Sequence, residues 1–70
     1  MTPTPAMRRY LRLVMDVTDR PAIPSRPGLA IGVDKNHAMR AKAEGWAEIV
    51  PQGRMRRVVI TPAGRDAITT

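Results

Sequence analysis

The chain has no cysteine, which excludes disulfide bonds and metal sites built on thiolates. It also has no phenylalanine, and only one tryptophan and one tyrosine. Proteins that bind RNA or single-stranded nucleic acid usually stack bases on several aromatic side chains, so this scarcity favours duplex DNA among nucleic acids. No apolar run approaches the about 18 residues of a membrane span, and no apolar signal-peptide segment follows MTPTPAMRR. We therefore expect a cytoplasmic protein, associated with the nucleoid if it binds DNA.

Acidic residues are few, with six Asp and Glu against twelve Lys and Arg, which gives a net charge of +6. A chain this basic is expected to bind an anionic partner: nucleic acid first, and an acidic protein or membrane surface second. The carboxylates show no paired spacing, and there is no phosphate-binding glycine loop, nucleophile motif or HExxH motif. We therefore expect no catalytic residues, no cofactor and no enzyme activity.

The length of 70 residues predicts a single domain over 1–70, with 1–4 as a frayed lead-in. Such a chain lies near the lower size limit for independent folding and has a small core. A second subunit would supply additional burial, so a homodimer remains open.

A first helix is predicted from Pro5 to Thr18, because Thr4 is a good N-cap and Pro5 suits the first helical position. Its apolar residues fall at helical spacing on one face: Met7, Tyr10, Leu11, Val14 and Val17. Its other face carries charges that are either solvated or in contact with phosphates: Arg8, Arg9, Arg12 and Asp16.

Three prolines between Thr18 and Pro27 predict a stiff loop, with room for a strand residue near Ile23. Ser25 and Pro27 then suggest a short second helix of one or two turns over 28–31. Glycines in and after this segment make it a poor helix.

A third helix is predicted from Lys35 to Glu44, with Asp34 as N-cap and Gly45 as the residue that ends it. Its inner face carries Ala38 and Ala41. Its other side holds larger or polar residues: Lys35, Asn36, Met39, Arg40 and Ala43. The only histidine, His37, has no second His or Cys with which to form a metal site. We expect it to stack, cap the helix or contact a phosphate.

The stretch from Gly45 to Ile68 predicts a hairpin followed by a helix. Trp46 to Val50 and Val58 to Ile60 are the expected strands, and Thr61-Pro62 starts the last helix. Pro51 and Gly53 are expected in the connection, with three arginines at an exposed tip: Arg54, Arg56 and Arg57. Trp46 is the expected large core residue beneath this hairpin.

From Asp34 to Ile68 the chain resembles the MarR-like group of winged helix-turn-helix DNA-binding proteins. In that family a recognition helix ends in Gly plus an apolar residue, as Gly45-Trp46 does here. A basic two-stranded wing then runs into a Thr-Pro-Ala-Gly-Arg helix start, which is 61–65 here. The resemblance implies an α+β fold with three helices, a two- or three-stranded antiparallel wing and a short C-terminal helix. The segment before Asp34 departs from the family, because the first helix of its helix-turn-helix pair is weak here.

The resemblance implies a double-stranded DNA-binding protein, a small bacterial or phage transcriptional regulator, with helix 34–44 in the major groove and wing 51–58 on the backbone or in the minor groove. Arg recognises guanine, Asn recognises adenine and Lys mostly contacts phosphates. The candidate DNA-binding residues are Lys35, Asn36, His37, Met39, Arg40, Arg54, Arg56 and Arg57. Two alternatives stay open: a winged-helix module that binds a protein, such as a phage-encoded inhibitor of a host protein, and an RNA-binding domain.

Overall fold

The computed structural model of the chain describes residues 2–69. It is an α+β structure, with three α-helices packed on a three-stranded antiparallel sheet of order β1-β3-β2. In chain order the elements are α1 (Pro5–Asp19), β1 (Leu29–Ala30), a 3₁₀ turn (Ile31–Val33), α2 (Lys35–Ala43), β2 (Ala47–Gln52), β3 (Met55–Ile60) and α3 (Pro62–Thr69). The predicted α+β class is confirmed. None of the helices within residues 2–69 combines the length and apolarity needed to cross a membrane.

Helix α1 begins where the sequence predicts and extends one residue further. The Thr4 hydroxyl accepts a hydrogen bond from the Met7 N–H at 3.2 Å, which satisfies one of the free donors at the helix start. At the other end the Thr18 hydroxyl accepts a hydrogen bond from the Ile60 N–H at 3.3 Å and therefore ties α1 to β3. Of the predicted lead-in, Met1 lies outside the described residues, and Pro3 is buried.

The core joins α1, α2 and the sheet in one cluster of buried side chains. The apolar face predicted for α1 packs on α2 and the hairpin, and the prediction that Trp46 is a core residue is confirmed, since it is only 8% exposed. The buried hydrophobic residues are Met7, Tyr10, Leu11, Val14, Ala38, Ala41, Trp46, Ala47, Val58, Ile60 and Ile68.

The prediction of a second helix over 28–31 is wrong. Leu29 and Ala30 form β1, which pairs with Val58 and Arg57 of β3. Gly28 has a φ of +114°, which is incompatible with a right-handed helix. A Cβ at Gly28 would lie 2.9 Å from the Val58 carbonyl oxygen, so only glycine lets the chain approach β3 this closely.

The remainder of this segment also differs from the prediction. Ile23 lies in a bend, is 49% exposed and belongs to no strand. Residues Ile31–Val33 form a single 3₁₀ turn. Between the proline-rich loop and α2, this turn is the one helical segment that the structure describes.

The hairpin is longer than predicted, and its connection is shorter. Pro51 lies inside β2 opposite Arg56, and because Gln52 pairs with Met55, only Gly53 and Arg54 form the turn. Strand β2 is at the edge of the sheet, where the missing N–H of a proline is tolerated. The expectation that all three arginines lie at the tip is therefore wrong: Arg56 and Arg57 belong to β3.

The Thr-Pro-Ala-Gly-Arg segment holds α3 against the end of α2. The Thr61 hydroxyl accepts a hydrogen bond from the Gly64 N–H at 3.0 Å and donates to the Gly45 carbonyl at 2.6 Å. A Cβ at Gly64 would lie 2.0 Å from the Trp46 carbonyl oxygen, so no larger residue fits there without displacement. Gly45 has a φ of +79°, the left-handed conformation predicted for the end of α2.

An ion pair joins α3 to the end of α1. Arg65 Nη1 donates to Asp19 Oδ2 at 2.9 Å, and Arg65 Nη2 donates to Asp19 Oδ1 at 2.5 Å. The hydrogen bonds from Arg65 lower the pKa of Asp19 below its usual value, and the same contact raises the pKa of Arg65. A two-pronged contact of this kind fixes direction as well as distance.

Candidate nucleic-acid interface

Helix α2 presents one face to the core and the opposite face to solvent. Ala38 and Ala41 are completely buried, because their small side chains let the helix lie close to the core. The other face is exposed along its whole length, as predicted. Its exposed residues are Lys35, Asn36, Met39, Arg40 and Ala43.

The start of α2 is fixed by Asp34 and His37. Asp34 Oδ1 accepts a hydrogen bond from the His37 N–H at 3.1 Å, and Asp34 Oδ2 lies 2.8 Å from His37 Nδ1. The backbone N–H of His37, followed by its side chain, lowers the pKa of Asp34. The His37 ring also lies 5.7 Å from the Tyr10 ring. Asp34 is thus the cap, and His37 is bound by it and packs its ring beside Tyr10 at the margin of the exposed face.

The Tyr10 side chain lies beside His37 and carries a buried hydroxyl group. Its hydroxyl is buried without a hydrogen-bond partner among the described residues. Burial, and then the charge of Asp34, raises the pKa of Tyr10 to about 12. The phenol therefore stays protonated near neutral pH and acts here as a core side chain.

Asn36 and Arg40, two of the candidate DNA-binding residues, line the same shallow cavity of about 310 Å³. The beginning of α1 and Trp46 form the rest of its lining, together with His37. Arg40 Nε lies 3.7 Å from Glu44 Oε1 one turn further on, but 62% of the arginine side chain is exposed. Solvent-exposed pairs of this length are weak, so the Arg40 guanidinium is free to exchange partners.

A groove of about 300 Å³ separates α2 from the hairpin. Met39 and Lys42 line it from the helix, and Ile49, Pro51 and Arg56 line it from the sheet. The register explains this set, because Pro51 lies opposite Arg56 and both belong to the sheet face on which α2 packs. The groove therefore has a cation on each wall, an apolar floor and no acidic lining residue.

Lys42 is not among the residues predicted from the sequence to bind DNA, because a recognition helix usually contacts bases with its N-terminal half. Its position depends on the hairpin, which packs beside the C-terminal half of α2. Lys42 follows Met39 by three residues, which places the two on one flank of the helix. This spacing is the sequence signal that could have indicated Lys42.

Arg57 differs from the other two arginines of the hairpin. It is half-buried, and its Nη1 donates to the Gly28 carbonyl at 3.2 Å. Its Nε is buried without a partner among residues 2–69. Strand alternation puts Arg57 on the opposite side of the sheet from Arg56, so Arg57 ties β3 to Gly28 and lies away from the groove.

Arg54 lies in the turn and lines a separate cleft of about 370 Å³. Ser25 and Arg26 of the proline-rich loop form the other wall of this cleft. Arg26 is not among the residues predicted from the sequence, because nothing local indicates that this loop folds against the hairpin tip. Nowhere in residues 2–69 do three His, Cys, Asp or Glu side chains come together as a metal site.

Comparisons of the chain with protein-family models, with curated proteins and with solved structures found no match. The function is therefore inferred from the charged surface that α2 and the hairpin share.

Proposed function

We propose that this protein binds double-stranded DNA as a small winged helix-turn-helix domain and acts as a bacterial or phage transcriptional regulator. Helix α2 is the recognition helix in this proposal, and the β2–β3 hairpin is the wing. One observation carries it: a groove lined by Met39 and Lys42 of α2 on one side and by the basic hairpin on the other has no acidic residue in its lining.

The residues on this surface suit DNA in type and position. Asn36 and Arg40 are one turn apart on a helix that a major groove of about 12 Å can admit, and they can pair with adenine and guanine edges. Lys42 and Arg56 stand on the two walls of the groove, where a phosphodiester backbone would pass between helix and wing. The apolar floor then contacts deoxyribose.

The charge balance of this surface also supports an anionic partner. Four of its cations have no ion pair among residues 2–69: Lys35, Lys42, Arg54 and Arg56. Like charges close together repel one another, and phosphates that replace their counterions relieve this repulsion. Binding should therefore depend strongly on salt.

The geometry of the 61–65 segment is a second support, because it fixes the hairpin relative to α2. Thr61 bonds to the residue that ends α2, and Gly64 packs on the carbonyl of Trp46, the residue before β2. A helix and a wing held at a constant angle can contact two grooves of one duplex together.

A double substitution of the hairpin tests the proposal. Arg54→Ala with Arg56→Ala should flatten the slope of log affinity against log salt by roughly 1–2 units, because each lost phosphate contact changes it by about 0.9. Both side chains are exposed, so the melting temperature should stay within a few degrees. Fluorescence anisotropy on duplex DNA over a salt series measures the slope.

The matched control is Arg12→Ala with Arg20→Ala, which removes the same charge from a region next to α3. It should leave the slope nearly unchanged. If the hairpin double variant keeps the wild-type affinity and slope, the hairpin does not contact DNA. A structured RNA in the same titration tests the RNA-binding alternative.

A protein-interaction module is the second candidate, and one observation favours it. Only a single 3₁₀ turn directly precedes α2, where a DNA-binding helix-turn-helix has a full helix. Val33 at the end of this turn is 58% exposed and offers apolar surface beside α2. Absence of duplex binding at low salt would put this candidate first.

A further inference from the structure

The cleft beside Arg54 is formed by two segments that are far apart in the chain. Gly53 and Arg54 make the turn of the hairpin, and the 20–28 loop lies against it. The loop is anchored at its end, where the Gly28 N–H donates to the Val17 carbonyl at 3.2 Å and the Gly28 carbonyl accepts from Arg57. The backbone of Arg26 is therefore held beside the hairpin tip.

The loop is also stiff near the cleft. Pro24 and Pro27 flank Ser25 and Arg26, and the Arg26 N–H donates to the Ile23 carbonyl at 2.8 Å, which closes a turn. Proline restricts the backbone before a ligand binds, so less conformational entropy is lost on binding. Arg26 thus faces the cleft from an ordered segment.

The chemistry of the cleft suits a phosphate group. Two arginines, a serine and a glutamine are among its lining residues, together with Gly53 and Met55, and no acidic residue lines it. Neither Arg26 nor Arg54 has an ion pair among the described residues. Guanidinium groups bind phosphate oxygens through paired hydrogen bonds, and two of them around one cleft repel each other until an anion is bound.

We propose that Arg26 and Arg54 together hold one phosphodiester group of the DNA backbone. This inference rests on the proposed DNA-binding function and sharpens it, because it puts the hairpin tip on the backbone and outside the minor groove. Paired strands are already about 4.8 Å apart, and the loop lies beside them as a further segment. With the loop at its side, this tip is broader than a two-stranded hairpin alone, which favours the backbone over a minor groove about 6 Å wide.

The test measures duplex binding by Arg26→Ala, Arg54→Ala and the double variant over a salt series. Each single change should weaken binding by about tenfold at low salt, as expected for loss of a charged hydrogen bond, and flatten the salt slope. Because both residues hold the same phosphate, the double variant should lose less than the product of the two single losses. Arg26→Lys should keep most of the slope, since it keeps the charge.

Arg12→Ala is the control for charge alone, and melting temperatures within a few degrees of wild type show that the variants fold. Netropsin, which fills the minor groove of A·T-rich duplexes, should weaken duplex binding by wild type and by Arg54→Ala equally. A stronger effect on wild type would mean that Arg54 enters the minor groove, and this would overturn the inference. An unchanged slope in Arg26→Ala, with wild type binding duplex DNA, would also overturn it while the proposed function stands. If wild type binds no duplex at low salt, the function and the inference both fall.

Discussion

The two ends of this molecule use their charges differently. At the packed end, where α3 meets α1 and Trp46, the charged and hydroxyl groups contact one another: Arg65 binds Asp19, and Thr61 bonds to Gly45. At the basic end, formed by the exposed face of α2 and the hairpin, Lys35, Lys42, Arg54 and Arg56 lack such contacts within residues 2–69. Side chains at the packed end stabilise the domain, and side chains at the basic end remain available to a partner.

This contrast separates the residues on which the resemblance to winged helix-turn-helix proteins depends from those that would bind the proposed partner. The Thr-Pro-Ala-Gly-Arg segment gives the clearest resemblance, yet its contacts are internal: a cap, a close approach and an ion pair. The proposed partner-binding residues lie in α2, the hairpin and the proline-rich loop. Substitutions at the packed end should therefore change stability and those at the basic end should change binding, with little crossover.

The largest expected effect is that of Trp46→Ala at the packed end. Trp46 is 8% exposed, and removal of a buried aromatic side chain costs about 3–5 kcal/mol of the free energy of unfolding. Proteins have only about 0.05–0.15 kcal/mol of stability per residue, which is roughly 4–10 kcal/mol for 70 residues. The substitution therefore removes about a third or more of the total, and the melting temperature should fall steeply. Circular dichroism melting measures this. An unshifted melt would mean that Trp46 contributes little to the core.

Gly64→Ala should have the next largest effect. The new Cβ would lie 2.0 Å from the Trp46 carbonyl oxygen and 2.9 Å from Ile60 Cγ1, so α3 must move away. Overpacking of this kind costs about 1–3 kcal/mol or more. Gly32→Ala is the matched control, because nothing lies within 4 Å of the position its new methyl group would take and its φ is not positive. Chemical denaturation should separate the two variants, and equal stabilities would contradict the close approach of α3.

At the basic end, Arg40→Ala should leave the melting temperature nearly unchanged and reduce discrimination between DNA sites. Loss of a bidentate base contact costs about 1–3 kcal/mol at the base pair concerned. Lys42→Ala is the comparison, since loss of a phosphate contact should weaken binding to all sequences alike. Selection of sites from a random duplex pool measures both. If Arg40→Ala weakens all sequences equally, Arg40 contacts the backbone.

The sequence predicted the parts of the fold that local chemistry decides. The caps of α1, α2 and α3 and the glycine that ends α2 are each set by a few neighbouring residues, and all four were found. The 28–33 segment was missed because its conformation depends on β3, which lies about 30 residues further along the chain. Leu29 and Ala30 become a strand through pairing with that distant partner.

The candidate site shows the same division. Helical spacing was enough to put Asn36 and Arg40 on one exposed face. Lys42 and Arg26 gain their significance from segments that pack beside them, and no local pattern shows such neighbours. Arg57 was grouped with the tip because sequence adjacency does not reveal its hydrogen bond to Gly28.

The smallest expected effect concerns Asp19 and appears only as a dependence on pH. The hydrogen bonds from Arg65 hold the pKa of Asp19 below the usual 3.8, so the folded state favours the ionised carboxyl. The ionised Asp19 contributes fully to the free energy of unfolding at pH values above its pKa in the unfolded chain. This contribution is lost as the pH falls through its lower pKa in the folded state, because Asp19 is then protonated in both states. Wild type should therefore melt slightly above Asp19→Asn near pH 7, and the difference should shrink as the pH falls below 3.8 through the lower pKa of the folded state.

The matched control for this prediction is Asp16→Asn, which removes an exposed carboxylate one turn earlier in α1 that makes no ion pair within residues 2–69. Both variants change net charge by the same amount, so general repulsion among the many cations acts on each alike. Only Asp19→Asn breaks the contact to Arg65, and only it should lose the acid-sensitive part of the stability. Melting curves at several pH values for both variants and for Arg65→Gln provide the measurement. If the melting temperatures of Asp16→Asn and Asp19→Asn depend on pH in the same way, the Arg65 contact does not stabilise the packed end. The position of α3 then depends on the Thr61 cap and the close approach of Gly64 to Trp46 alone.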